Sequence, residues 1–128
     1  MAYMKYKELT RTFNFRKRLP VENAPEFISH YIEPEEKIFG IYGTRADTCV
    51  FTSKKLIIFD IGLIGRTKKI HMLYREKLSS SAIEYKADSI SLYLSFDSGY
   101  QSKIRFVGFD ANDKTEFRQI YLAFLKGK

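Results

Sequence analysis

The sequence has no tryptophan, one cysteine, two histidines and three prolines in 128 residues. A lone thiol, Cys49, forms no intramolecular disulfide, which excludes a small secreted scaffold held by bridges and suits a reducing cytoplasm. One cysteine and two histidines are also too few for a zinc cluster of recognised spacing. The first residues are charged from Lys5 onward without the apolar core of a signal peptide, and no run approaches the roughly 18 apolar residues of a spanning helix. The expectation is a cytoplasmic chain with no cofactor and no metal.

What is present points to a packed globule. Hydrophobic residues make up 45% and aromatics 16%, carried by 11 Phe and 9 Tyr, which argues against disorder. A chain of this length buries about two-thirds of the surface it exposes when unfolded, enough for one core. Its formal charge of +7 is unevenly placed. Residues 1–19 hold Lys5, Lys7, Arg11, Arg16, Lys17 and Arg18 against Glu8 alone, a net +5 that leaves +2 for the rest. Such an arm attracts phosphates or an anionic membrane face at long range, or simply keeps a small domain soluble. It also carries Tyr3, Tyr6, Leu9, Phe13 and Phe15; Tyr6, Leu9 and Phe13 fit a helical face, while Phe13 and Phe15 fit strand alternation. Removing residues 1–19 is expected to leave the fold intact.

From Pro20 to Glu33 the pattern predicts a short amphipathic helix, with Asn23 as its cap, Pro25 in the first turn, Phe27, Ile28, Tyr31 and Ile32 on one face, and Pro34 as its stop. His30 falls off that face, toward solvent. Residues 36–43, 46–52, 55–61 and 67–74 read as strands by their β-branched and aromatic content. Between them, Thr52-Ser53-Lys54-Lys55 is a tight turn, and Asp60 to Arg66 is a longer loop bent at Gly62 and Gly65. Three further strands follow at 79–87, 89–97 and 101–109, the second with Ile90, Leu92, Leu94 and Phe96 alternating with Ser91, Tyr93 and Ser95. Its partner turns Ile104 and Phe106 inward, and Lys103 and Arg105 outward. Connectors this short require antiparallel neighbours. The last segment is a helix with Phe117, Ile120, Tyr121, Phe124 and Leu125 on one face, capped by Asp110, Asn112 or Asp113, with Asp113 and Glu116 spaced as a capping box. It is expected to plug the sheet.

Candidate chemistry is sparse. Nucleophilic catalysis needs a Ser or Cys beside a histidine base; only His30 and His71 are available, and His71 alternates with Ile70 and Met72 as a structural strand residue. Cys49 reads as a small buried hydrophobe. Asp47, Asp60, Glu84, Asp88 and Asp97 sit at strand ends and turns, where carboxylates serve turn geometry. Gly62 to Arg66 lacks the spacing and lysine of a phosphate loop. Leu63 and Ile64 at its apex, followed by Arg66, Lys68 and Lys69, either touch a partner or membrane interface or fold back on the core.

Seven antiparallel strands and a capped helix, in this order, resemble a pleckstrin-homology (PH) domain. The words resemble bacterial PH-like families: VFTSKKLIIFD is similar to their strand that opens on threonine, a small polar residue and two basic residues, and MLYREKLSSSAIEY to the segment that follows. Leu73 departs from the pattern, standing where those families tend to have proline. The resemblance spans about Glu35 to Lys126, dividing the chain into a basic, aromatic arm with a short helix (1–34) and a PH-like domain (35–128). It implies a mainly β fold with α, a PH-like barrel of about seven antiparallel strands capped by the C-terminal amphipathic helix. It also implies no enzyme activity and a binding or assembly role, with some relatives built as homo-oligomers through sheet edges. Phosphoinositide binding is not carried over, because the first hairpin loop, Gly43-Thr44-Arg45-Ala46, holds one arginine. The expected partner is a protein or a second copy, with an anionic membrane surface as the alternative and nucleic acid disfavoured. The candidate surface is Arg11, Arg16, Lys17, Arg18, Leu63, Ile64, Arg66, Lys68 and Lys69.

Overall fold

Strand-forming runs joined by short polar turns fold back on one another, and the computed structural model describes the result for residues 13–44, 47–61 and 69–128. The chain begins with β1 (Phe13–Phe15) and β2 (Lys17–Leu19), passes through a 3-10 turn and the helical turn α1 (Glu26–Ser29), and enters β3 (Ile38–Gly43). Next come β4 (Thr48–Thr52), β5 (Lys55–Asp60), β6 (Lys69–Tyr74), β7 (Leu78–Tyr85), β8 (Ser89–Phe96) and β9 (Gln101–Val107). The helix α2 (Ala111–Lys126) ends the chain.

These strands form two sheets, β2-β3-β4-β5-β6 and β1-β9-β8-β7. The sheets pack as a sandwich and do not close into a barrel, since no ladder joins β6 to β7 among the described residues. All seven expected strands are present, as β3 to β9, and the arm adds two. One pairing departs from the antiparallel expectation: β1 lies parallel to β9, with Phe13 opposite Ile104 and Phe15 opposite Phe106. The short-connector argument applies only to strands adjacent in sequence, and seven strands lie between these two in the chain. Within a single extended stretch the arm leaves one sheet at Phe15 and joins the other at Lys17, which pairs with Gly43. Phe15 is fully buried. Residues 13–19 therefore belong to the folded unit, and deleting 1–19 removes a core ring and two strands, contrary to the sequence expectation.

The inner faces of the sheets meet α2 in an aromatic core. Phe117 lies 4.5 Å from Phe106 between ring centroids, and Tyr42, Phe51, Phe109 and Tyr121 surround it at about 6 Å. Phe117, Ile120, Tyr121 and Phe124 are buried as their spacing predicts, and Leu125 is half-buried. The helix cap falls one turn earlier than the predicted box: Asp110 accepts from the Asp113 amide at 2.8 Å, and the Asp113 carboxylate accepts from the Asp110 amide at 3.0 Å. The reciprocal pair satisfies amides that the first turn leaves free, so a second box at Glu116 is not needed. Gly127, in the left-handed region at φ 74°, closes the other end. The helix lies close on β3 at Gly40, where a Cβ would sit 2.6 Å from Ile120.

The five-stranded sheet is buried on its outer face as well. Ile28, Ile41, Val50, Ile57 and Phe59 form a second apolar cluster, with Leu19, Ala24, Tyr31, Ile32 and Ile70 against it. Residues 20–32 are the cover. They make one turn of α-helix instead of the longer amphipathic helix predicted, and Pro25, not Asn23, precedes it. Ile28 is the buried anchor, while Phe27 stays 41% exposed with its ring edge-on to Phe59. A close fit to a flat sheet face replaces helical length here, because each residue that touches the sheet is held by it.

Candidate interaction surfaces

Three places on this scaffold gather polar or unsatisfied groups. The first is the end of the five-stranded sheet where Lys17 pairs with Gly43, Gly43 with Thr48, Thr48 with Phe59, and Asp60 with Lys69. Arg16, Lys17 and Lys69 are exposed there. Four strand spacings of about 4.8 Å put Lys17 and Lys69 on opposite edges, roughly 19 Å apart. Arg18, also exposed, is turned toward α2, where its guanidinium lies 3.6 Å from Glu116. The fold thus brings the described cations of the arm and of the β5–β6 connection to one end. Arg11, Leu63, Ile64, Arg66 and Lys68 lie outside the described residues.

Three of the carboxylates named from sequence, Asp47, Glu84 and Asp97, serve the frame. Asp47 Oδ1 accepts from the Ile61 amide at 3.2 Å, tying two loops at this end. Glu84 accepts from the Tyr93 hydroxyl at 2.9 Å, and Asp97 from Ser79 Oγ at 2.6 Å. His30 is exposed, whereas His71 is buried with Nδ1 3.0 Å from the Tyr100 hydroxyl and Nε2 3.8 Å from Asp60. Cys49 is fully buried, and desolvation pushes its thiol far above the ordinary range, which keeps it from acting as a thiolate. Among the described residues no group of three or more His, Cys, Asp or Glu could hold a metal, and no helix is long and apolar enough to cross a membrane.

The second place was not foreseen. At the opposite end of the sheet the Thr52–Lys55 turn encloses an ion pair: Lys55 Nζ lies 2.8 Å from Glu36 Oε1, with side chains 2% and 0% exposed. Thr52 donates its hydroxyl proton to the other Glu36 oxygen and accepts from the Lys55 amide at 3.0 Å. The Tyr74 ring stands 5.6 Å from the ammonium. Outside this cluster Lys54 bridges Glu33 at 2.6 Å and Glu35 at 2.7 Å. These bonds tie the end of the covering segment to the β4–β5 turn, and alternation could not reveal them, because Lys55 sits where a solvated turn lysine is expected.

The third place is the corner of the sandwich between the edges of β6 and β7, which pair with no further strand among the described residues. The β7 edge is eight residues long and carries no Lys, Arg or Pro. Next to β6 lies a cavity of about 460 Å³ lined by Leu73, Tyr74, Lys77, Phe96, Asp97 and Tyr100, among others.

Two packed sheets, a C-terminal helix across one end and loops at the other define a PH-like fold. The bacterial PH domain family matches residues 10–125, and the chain belongs to that family. The match takes in the last part of the arm. Solved structures agree on the fold. A DUF1696 family protein with a pleckstrin-homology domain from Shewanella loihica is 18% identical with a TM-score of 0.68, over 84% of this chain and 95% of that one. A PH-domain-containing protein from Exiguobacterium sibiricum is 14% identical with a TM-score of 0.62, over 88% of this chain and 61% of that one. A pleckstrin homology domain from Shewanella amazonensis is 20% identical with a TM-score of 0.56, over 78% of this chain and 83% of that one. No curated protein matches the sequence.

Proposed function

We propose that this PH-like domain is a non-catalytic, cytoplasmic interaction module that self-associates through a sheet edge. The observation that carries the reading is β7. Edge strands of soluble proteins are usually short or blunted by lysine, proline or inward charge. Here β1 and β2 are three residues each, and β2 carries Lys17 and Arg18. β7 has eight residues, and its single charge, Glu84, is held by Tyr93. The Lys86 amide donates to Ser89 O, and alternation from that pair turns the backbone groups of Ser81, Ile83 and Tyr85 toward the free edge. These groups have no strand partner among the described residues, so a second chain can bond to them.

Light scattering behind size exclusion tests this. The expected result is a species larger than the monomer that reverts to monomer in Ser80→Lys/Ala82→Lys, two exposed positions at which lysine adds the charge that edge strands use to repel one another. A strictly monomeric wild-type chain at every concentration sinks the proposal.

A second reading is attachment to an anionic membrane, and it draws on the basic end: Arg16, Lys17 and Lys69 lie at the same end of the five-stranded sheet as the ends of the segment that holds Leu63 and Ile64. Sedimentation with acidic vesicles is expected to show binding that weakens from low to high salt and is lost in Arg16→Glu/Lys17→Glu. Binding that ignores salt, or none at all, removes it.

A further inference from the structure

The outer edge of β6, which pairs with no strand among the described residues, offers a recognition site separate from β7. Arg75 N donates to Lys54 O at 2.9 Å, so this pair is of the hydrogen-bonded kind, and alternation along the ladder directs the backbone groups of Ile70, Met72 and Tyr74 away from β5. Met72 and Tyr74 are also exposed large apolar side chains, at 42% and 45%. Beside them opens the cavity of about 460 Å³, with Leu73, Phe96 and Tyr100 as its apolar lining. That volume is in the range of small-molecule and side-chain pockets.

The polar rim carries Lys77 and Asp97. The Asp97 carboxylate accepts from Ser79 Oγ at 2.6 Å, and no acid lies within ion-pair distance of Lys77 among the described residues. Arg75 stands at the same end of β6, its Nε donating to Ser53 O at 3.3 Å. A strand edge with outward amides, an apolar pocket alongside and a lysine without an ion-pair partner among the described residues together suit one kind of ligand.

We propose that the β6 edge binds an extended peptide of a partner protein, which adds a strand along Met72 and Tyr74, places a large apolar side chain in the Leu73–Phe96–Tyr100 cavity, and sets an acidic residue against Lys77. Main-chain bonds would supply affinity and the pocket and lysine specificity, as in other strand-addition modes. The proposal stands apart from the β7 reading, since it uses the other edge of that corner.

The test uses the full chain and N-acetylated octapeptides of alternating Thr and Val with a central Leu, Phe or Tyr and a terminal Glu. Backbone amide NMR is expected to show saturable shifts at Met72, Tyr74, Lys77 and Tyr100 with at least one anchor. N-methylation of the peptide amides that face the protein should weaken binding by about tenfold or more, the loss of one or two hydrogen bonds. Lys77→Glu, at an exposed site, should reverse the preference between the glutamate peptides and lysine-ended versions. The proposal is overturned if no anchor gives saturable shifts at about millimolar peptide, if the shifts fall on β7 instead, or if Lys77→Glu leaves the charge preference unchanged. It is overturned as well if Met72→Glu converts an oligomer to monomer, which would make the β6 edge an interface between copies.

Discussion

Phe117→Ala is expected to lower the free energy of unfolding by about 3–5 kcal/mol, the cost of truncating a fully enclosed aromatic side chain. Phe117 is fully buried and sits between the sheets, with ring centroids 4.5 Å from Phe106 and 5.9 Å from both Tyr42 and Phe51. Its removal leaves a cavity where the helix meets both sheets. Domains of this size are stable by only about 5–15 kcal/mol, so the variant should be largely unfolded at modest urea. Leu122→Ala, on the same helix but 49% exposed, should cost no more than about 0.5 kcal/mol. Equal losses for the two in urea titrations would mean that α2 does not plug the sandwich as described.

Breaking the enclosed ion pair should cost as much. Lys55→Met strands the Glu36 carboxylate without its cation in a site with no access to water, a loss of about 3–5 kcal/mol. Glu36→Gln strands the ammonium in turn. The double variant Glu36→Gln/Lys55→Met leaves no buried charge, and should be more stable than the sum of the single losses predicts. Acid gives a second signature. Desolvation pushes the Glu36 carboxyl upward, but hydrogen bonds from Lys55 and Thr52 outweigh it and hold the group below its ordinary value of 4.5. A carboxyl depressed by folding stabilises the native state fully above the unfolded value, and this contribution is lost as pH falls through the folded one. Wild-type stability should therefore decline with acid below about pH 4.5 more steeply than that of Glu36→Gln; parallel curves in urea at several pH values would show that the pair contributes nothing.

Much of this was open to reading in one dimension. Strict alternation in Ile90 to Phe96 identified a strand with one inward face, and the structure buries those four apolar residues as expected. Ser91 was expected on the wet face and is only 1% exposed, standing in register between Glu84 and Arg105 on a central strand. The period of α2 gave its buried face, while its cap lay a turn earlier because Asp110 and Asp113 satisfy the first amides between them. The unbroken run Leu56-Ile57-Ile58-Phe59 carried a further signal: a strand apolar at every position is buried on both faces. That run implied a cover for the outer face of the sheet, and the cover is residues 20–32.

The candidate surfaces were less legible. Lys17 and Lys69 are far apart in the chain and reach one end of the sheet only through four registers, each set by a different turn. Lys55 gave no sign of burial, because a lysine in a turn is normally solvated; it becomes an enclosed ion only when Glu36 is brought over it by the fold of the covering segment.

The sequence by itself determined the succession of strands from β3 to β9 and the inward faces of β8, β9 and α2, since each depends on local periodicity and short connections; the PH-like class rested on the resemblance of two short segments and the element order. Tertiary structure alone decided that the arm enters both sheets, that an ion pair is sealed beneath Tyr74, and that the β6 and β7 edges meet no strand partner among the described residues. These features arise from pairings between segments remote in sequence, whose partners are fixed by the register of whole sheets rather than by any residue's own preference.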